Sequence, residues 1–170
     1  KIIQNDLIEE FITFIKRENY SLDNYIGESI FETNSFLLKR KKTALIEYAV
    51  FFGSVQIFKY LYKNGVELSE TLWPFAVHGD NEEIIHILEE NQTKINKKKE
   101  EEDTYDSDNS DDSETDSEYS EKYDDFSFEK IFFESIKCHH NSMANYIKEN
   151  LLKDKNYKIN IVSKSFHYYN

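Results

Sequence analysis

The sequence predicts an all-α chain in which antiparallel helix pairs stack side by side as a solenoid. Three segments, 43–64, 70–91 and 129–150, align without a gap and share their apolar positions. A short polar stretch divides each segment, and the apolar residues of each half recur at helical spacing. The chain has only four Gly and one Pro, which argues against a turn-rich β fold. Self-similarity over a few tens of residues is typical of a repeat stack.

The first element of each segment is a helix with an apolar stripe, and the second element is another. Apolar residues four positions apart lie on one side of a helix, so each stripe should face the core. The columns that define the two stripes are Leu45, Leu72 and Ile131; Ala49, Ala76 and Ser135; Ile57, Ile84 and Met143; and Leu61, Leu88 and Ile147.

Turn-forming residues separate the two helices of each pair and close each segment. Pro74 fits a helix only in the first turn, where no backbone donor is lost, so Thr71 is the expected cap before it. Asparagine ends all three segments and suits the left-handed residue that terminates a helix. The residues between the helices are Gly53-Ser54, Asp80-Asn81 and His140-Asn141, and the closing residues are Asn64, Asn91 and Asn150.

With these features the chain resembles ankyrin-repeat proteins. The run LIEYAVFFGSVQIFKYLYKNG has the ankyrin order of leucine, an alanine four residues before glycine, an Ile-Phe pair and a leucine run ending in Asn-Gly. LWPFAVHGDNEEIIHILEEN and ESIKCHHNSMANYIKENL are similar to a divergent ankyrin subfamily of unknown function that is abundant in parasitic protists. The resemblance covers roughly residues 43 to 150 and implies a binding scaffold.

The spacing of the repeats departs from the ankyrin pattern. An ankyrin unit has about 33 residues, whereas Leu45 and Leu72 are 27 residues apart. The missing residues fall where ankyrins place a β-hairpin finger, and the Thr-Pro-Leu-His start is absent as well. We therefore expect shortened or absent fingers, with residues 65–71 as a short loop and not a paired strand.

The remaining parts of the chain extend the same plan. Residues 1–42 are predicted to form one or more degenerate helical repeats, because Leu7, Phe11 and Ile15 have helical spacing, as do Tyr25, Ile26, Ser29 and Ile30. Residues 43–96 hold two helix pairs, 126–155 a third, and 156–170 the first half of another. The chain begins without Met and ends within a unit, which favours a segment of a longer solenoid.

The charge is concentrated in one tract. Residues 97–125 contain fourteen acidic residues and four lysines, in a chain whose net charge is −12. The tract has no apolar periodicity, so it cannot bury enough surface to offset its ordering entropy, and we predict a disordered insert. Helices on either side should pack together regardless, because loop-closure entropy grows slowly with length.

Three roles for this insert stay open on the sequence alone. It is a solvated low-complexity expansion, or a flexible arm that attracts a basic partner or the basic run 39–42, or a phosphorylation platform. Ser113 and Thr115 are the candidate phosphorylation sites, because each has an acidic residue three positions later. Phosphate there would deepen an existing negative charge.

Cysteine usage and hydropathy bound the compartment. A single cysteine, Cys138, forms no internal disulfide, which favours an intracellular, reducing compartment, the cytoplasm first and the nucleus as the alternative. No apolar run of about 18 residues occurs, so no membrane span is expected. The run Lys39 to Lys42 is interpreted as a solvated loop, with nuclear import or phosphate contact as the other readings. Because the chain is acidic overall, no nucleic-acid partner is expected.

No pattern of catalytic residues appears in the sequence. Cys138, His139 and His140 are consecutive and point in different directions, whereas zinc needs about four converging ligands. Glycine-rich phosphate loops, nucleophile elbows and HExxH motifs do not occur. We therefore predict no enzyme, no cofactor, no metal site and no small-molecule substrate.

Aromatic residues on the first helices form the candidate binding surface. A stack of helix pairs curves, and exposed positions of the first helices line its concave side. Exposed aromatic residues in a groove are the usual anchors of a protein interface, although the same residues would also fill gaps between units. The predicted partner-binding residues are Tyr48, Phe51, Phe52, Phe75 and His78.

Two functions follow from these features. The leading prediction is a scaffold that binds another protein without chemistry. The alternative is a charge-driven module, in which the acidic insert captures basic proteins and the repeats serve as its holder.

Overall fold

Helices, most of them short, make up most of the structure. The computed structural model describes residues 1–27, 32–40, 42–102 and 127–152, with the backbone alone for 93–102. The elements are α1 (Ile8–Glu18), β1 (Tyr25–Gly27), α2 (Ser35–Leu38), β2 (Lys42–Ala44), α3 (Leu45–Phe51), α4 (Val55–Lys63), a 3-10 turn (Glu70–Leu72), α5 (Trp73–Gly79), α6 (Glu82–Glu102), α7 (Phe128–Lys137), α8 (Asn141–Tyr146) and a π-helical turn (Ile147–Leu151).

One turn geometry recurs between the helices of successive pairs. Gly53, Asp80 and His139 occupy the same aligned column, and all three have left-handed backbones with φ of 64°, 43° and 60°. Glycine tolerates this conformation best, and Asn, Asp and His adopt it more often than other residues, so the residue types in this column suit a reversal of the chain. The tight turn predicted between the helices is confirmed at Gly53 and Asp80, but the third turn lies at His139, one residue before the predicted His140-Asn141, and Asn141 already belongs to α8.

The same turn precedes α1. Asp6 has φ of 51°, and the amide of Leu7 donates to the carbonyl of Ile2 at 3.1 Å, as the amide of Ser54 donates to that of Ala49 at 2.8 Å. The next residue in each turn has nearly the same backbone, with φ and ψ of −82° and 79° at Leu7 and −78° and 80° at Ser54. The turn before α1 therefore has the same geometry as the turn that joins α3 to α4.

Contacts with α4 hold this N-terminal turn in place. Both carboxylate oxygens of Asp6 accept backbone hydrogen bonds at the start of α4, from Gln56 at 2.9 Å and Ile57 at 3.0 Å. The hydroxyl of the buried Ser54 donates to the carbonyl of Ile3 at 2.5 Å. Because a carboxylate at a helix N-terminus satisfies unpaired amides, Asp6 acts as a cap supplied from a distant part of the chain.

The helices form two layers. In the first layer α3 packs against α5 and α5 against α7, in chain order, while α4 packs against both α1 and α6 in the second. The columns predicted to face the core do so. Buried members include Leu45 and Ile131 in the first helices and Leu72 in the 3-10 turn before α5. They also include Leu61 and Leu88 in the second helices and Ile147 in the π-helical turn.

Small residues lie where the first helices approach each other. Ala49 and Ala76 are at most 1% exposed, and Ser135, at 0%, satisfies its hydroxyl by donating to the carbonyl of Phe132 at 2.6 Å. A larger side chain in this column has no space to occupy, because interiors are packed as densely as organic crystals.

We expect Ala49→Leu to destabilise the protein by about 1–3 kcal/mol, the usual cost of overpacking a filled core. Urea unfolding followed by circular dichroism measures the change. Gln56→Leu, on the exposed face of α4, is the matched control and should stay within about 0.5 kcal/mol of the wild type. Equal stability of the Ala49→Leu and wild-type proteins would contradict the close packing of α3.

Two short strands depart from the all-α prediction. β1 and β2 pair antiparallel, with Tyr25 opposite Ala44 and Gly27 opposite Lys42. The prediction that Tyr25 and Ile26 begin a helix is therefore wrong, as is the solvated loop at Lys42. Aromatic and β-branched side chains favour paired strands. The amide of Leu45, the first residue of α3, donates to the carbonyl of Asn24, so a hydrogen bond also connects the start of α3 to the residue before β1.

The connection from α4 to α5 is the short loop that was predicted. It contains no strand, and only its last residues enter the 3-10 turn. Val66 and Leu68 are buried, and the side chain of Asn91 donates to the carbonyl of Leu68 at 3.2 Å. Pro74 lies in the first turn of α5, as expected, but the residue before α5 is Leu72 and not Thr71.

The helix ends differ from the prediction. Gly65 takes the left-handed conformation with φ of 94°, whereas Asn64 has φ of −95°. Asn91 lies inside α6, and Asn150 lies inside the π-helical turn. α6 continues to Glu102, past the start of the predicted insert at 97, because Lys, Gln and Glu are strong helix formers.

Several predictions fall on residues that the structure does not describe. These are the insert from 103 to 125 with Ser113 and Thr115, the positions Ser29 and Ile30, and the half repeat at 156–170. Within the described ranges, no helix combines the length and the apolar character needed to cross a bilayer.

Candidate functional site

The five predicted partner-binding residues cluster on one side of α3 and α5, but they differ in exposure. Phe75 is 0% exposed and Phe51 is 7% exposed. Tyr48, Phe52 and His78 are half-buried. The expectation that Phe51 and Phe75 are exposed in a groove is therefore wrong, and both residues belong to the core.

The segment around α2 covers these two residues. The Phe36 ring stacks on Phe51 with centroids 5.7 Å apart and meets Phe75 edge-on at 5.2 Å. The Arg40 guanidinium lies 3.8 Å from the centroid of Phe36 and 4.6 Å from that of Phe75. Arg40 also donates to the carbonyl of Phe36 at 3.0 Å. Because this cation is held over aromatic faces, the basic run is only partly solvated.

Tyr48 and Phe52 form the part of the predicted surface that stays partly open. Their ring centroids are 4.7 Å apart, and Gln4 donates a hydrogen bond to the Tyr48 hydroxyl at 3.1 Å. We call this pair the aromatic edge. Its apolar rings and one polar hydroxyl are the combination that protein interfaces favour.

A group of polar side chains joins α5 to α7 beside these aromatic rings. His78 Nε2 lies 3.5 Å from Glu134 Oε1, and Cys138 Sγ lies 3.4 Å from His78 Nδ1 and 3.9 Å from Nε2. We call His78, Glu134 and Cys138 the polar cluster. Their ligand atoms all lie within 4.8 Å of one another.

The fold explains how the polar cluster assembles. Glu134 and Cys138 are four residues apart, so they share one face of the helical segment that ends α7. His78 lies in the last turn of α5, and its ring is tilted against Phe36 and Phe51, with centroid distances of 4.1 and 5.0 Å. The His78 ring is thus held in place by packing.

Electrostatics differ between the acid and the thiol of the cluster. The hydrogen bond from His78, with a further contribution from Lys137 and against the opposing effect of burial, lowers the pKa of Glu134 to about 2. Burial, followed by the charge of Glu134, raises the pKa of Cys138 to about 11. Both effects favour the neutral thiol of Cys138 over the thiolate, which is the nucleophilic form of cysteine.

Sequence spacing alone does not reveal the polar cluster. His140 does not join Cys138, because it pairs with Asp80 of the neighbouring turn at 2.7 Å. The partners of Cys138 come instead from its own helix and from α5. His78 and Cys138 occupy adjacent columns of the aligned segments, which places them near each other in neighbouring helices. Glu134 is four residues before Cys138 and therefore lies on the same helix face. Both signals must be combined to find the group.

Side-chain contacts also join the second helices of neighbouring pairs. Lys59 of α4 pairs with Glu83 of α6, and the Tyr146 hydroxyl of α8 donates to Glu89 of α6. Both contacts cross from one helix pair to the next. They are partly exposed, so their contribution to stability is modest.

A cleft of about 470 Å³ lies on another side, between β1, α3 and the loop before the 3-10 turn. Its lining includes Asp23, Glu47 and Glu67, and burial raises the pKa of Glu47. These carboxyl groups make the cleft more suitable for a cationic or neutral group than for a phosphate.

Comparison with known proteins adds no identification. No protein-family model matches the chain, no curated protein matches it, and no solved structure matches it. The resemblance to ankyrin repeats therefore stays a prediction from the sequence.

Proposed function

We propose that this chain is a non-catalytic scaffold that binds another protein through an ankyrin-like stack of helix pairs. Three features support the stack: the recurring left-handed turn, the chain-order packing of α3, α5 and α7, and the small residues at their contacts. Repeat stacks expose extended surfaces and are widely suited to protein recognition.

The observation that carries the proposal is the aromatic edge. Tyr48 and Phe52 pack against the core on one side and remain partly open on the other. Aromatic residues with two side-chain torsions lose little entropy on binding, and they dominate the energy of many interfaces. The buried Phe51 packs edge-on against Phe52 with ring centroids 5.0 Å apart, so the aromatic edge rests on the core.

The surroundings of Cys138 argue against one kind of catalysis, nucleophilic attack by its thiol. Nucleophilic catalysis by cysteine needs a thiolate, which positive neighbours stabilise. Here burial and the charge of Glu134 favour the thiol. The polar cluster thus lacks the activated nucleophile of a cysteine enzyme.

Site-specific crosslinking tests the proposed surface. A photoreactive phenylalanine analogue at position 52 is expected to give discrete adducts with the partner in cells that express the full chain. The matched control places the analogue at Tyr62, an aromatic residue on α4 that is 37% exposed. Adducts of equal yield at both positions, or none at position 52, would contradict the aromatic edge as the binding surface.

Deleting residues 103–125 separates the scaffold from the alternative charge-driven module. This deletion removes acidic sequence and leaves α6 intact to Glu102. We expect adducts at position 52 to persist in the shortened chain and at moderate salt, because apolar contacts are not screened. Adducts that vanish in both conditions would favour the acidic insert, since exposed charges are screened within about 8 Å at physiological ionic strength.

A further inference from the structure

We propose that His78, Glu134 and Cys138 form a binding site for Zn²⁺. The ligand atoms are Nε2 of His78, Oε1 of Glu134 and Sγ of Cys138, and they come from two neighbouring helices of the first layer. This site is separate from the proposed partner surface, and neither depends on the other.

The distances between the ligand atoms suit a tetrahedral zinc ion. Zinc bonds of about 2.0–2.3 Å imply ligand atoms that are roughly 3.3–3.6 Å apart. His78 Nε2 is 3.5 Å from Glu134 Oε1 and 3.9 Å from Cys138 Sγ. The ligand atoms of the third pair, Glu134 and Cys138, lie within 4.8 Å of each other, and rotation about their side-chain bonds would have to bring them closer.

The surroundings orient two of the three ligands. Lys137 donates to Glu134 Oε2 at 3.0 Å, which leaves Oε1 directed toward His78. The rings of Phe36 and Phe51 hold the imidazole plane of His78. Groups that fix the orientation of ligands in this way normally raise the affinity of a metal site.

The donor set selects the class of cation. One sulfur, one imidazole nitrogen and one carboxylate oxygen suit Zn²⁺ and its spectroscopic substitute Co²⁺, whereas Mg²⁺ and Ca²⁺ prefer oxygen alone. The carboxylates of residues 97–125 offer only oxygen donors. A cation bound through sulfur is therefore distinguishable from one attracted to the acidic residues.

The site has access to solvent. The side chains of His78 and Glu134 are 16% and 26% exposed, so a cation can enter the site from solvent. Because its ligands lie on α5 and α7, the cation would join the second helix pair to the third. Binding would then stabilise the folded state by mass action.

Cobalt titration of the full chain is the direct test. A thiolate bound to Co²⁺ gives a charge-transfer absorption in the near ultraviolet, and Cys138 is the chain's only cysteine, so the band reports this residue alone. We expect one equivalent of Co²⁺ to produce the band and an equivalent of Zn²⁺ to remove it. We also expect Zn²⁺ to raise the thermal unfolding midpoint of the wild-type protein.

Substitutions assign the ligands. Cys138→Ser should abolish the band, and Glu134→Gln should weaken Co²⁺ binding on the order of a hundredfold, since even changes to outer-shell groups cost about 10–100-fold. His86→Asn is the matched control, because His86 also lies near a carboxylate, Glu90 at 3.4 Å, but on the exposed side of α6. That control should bind like the wild type.

Several results would overturn the site. One is a wild-type protein that gives no band at equimolar Co²⁺. Another is a loss of affinity in His86→Asn as large as that in Glu134→Gln. Circular dichroism and metal-free thermal unfolding of each variant show whether that variant folds. If one variant fails to fold, the titration of the wild-type protein still decides the proposal.

Discussion

Replacing Gly79 with alanine is expected to destabilise the protein by about 3 kcal/mol or more, the upper end of the cost of overpacking. A Cβ atom at this position would lie 2.1 Å from the carbonyl oxygen of Val50 and 3.1 Å from the amide nitrogen of Gly53. Both atoms belong to the backbone of α3 and its turn. Backbone cannot rotate away as the end of a side chain can, so α5 would have to move off α3.

Urea unfolding of the Gly79→Ala protein measures this effect. Gly27→Ala is the matched control, because a Cβ on Gly27 meets no atom within 4 Å, and its change should stay within about 0.5 kcal/mol. An unfolding midpoint of Gly79→Ala equal to that of the wild type would show that α5 does not lie against Val50. That result would contradict the packing of α3 against α5 described above.

The sequence predicts the helices and their stripes because periodicity is a local property. Leu45, Ala49 and Ile57 lie at spacings that fix which side of each helix meets the core, and the structure buries all three. The left-handed residues at Gly53 and Asp80 are likewise indicated by residue type, since few residues tolerate that backbone.

The close approach at Gly79 is not visible in the sequence. Its aligned neighbours are Phe52 and Cys138, so the column does not demand a small residue in every pair. Only the distance between α5 and the carbonyl of Val50 creates the demand. Distances between helices depend on all the side chains between them, and no spacing rule supplies them.

The sequence also does not predict that the segment around α2 covers α3 and α5, for a related reason. Positions such as Phe51 and Phe75 are assigned to the solvent side when only the helix pairs are considered. Phe36 and Arg40 precede the aligned segments and bury these positions through contacts that no repeat pattern contains. The strands escape prediction as well, because three residues are too few to show an alternating pattern.

Phe75→Ala is expected to cost about 3–5 kcal/mol, the range for truncating a buried phenylalanine. Phe75 is 0% exposed, its ring meets Phe36 edge-on at 5.2 Å, and Arg40 lies above it at 4.6 Å. Removing the ring leaves a cavity and takes away the aromatic face beneath the guanidinium. Since small proteins are stable by only about 5–15 kcal/mol, the loss is large, and urea unfolding measures it.

Phe52→Ala is the control for this change, because Phe52 is half-buried on the aromatic edge. We expect it to cost clearly less stability than Phe75→Ala, although it removes part of the proposed partner surface. A Phe75→Ala protein as stable as Phe52→Ala would mean that α2 does not cover α5, and Phe75 would return to the set of exposed binding residues. The opposite result would place Phe75 in the core beneath Phe36 and Arg40, and would leave Phe52 available as part of the proposed partner surface.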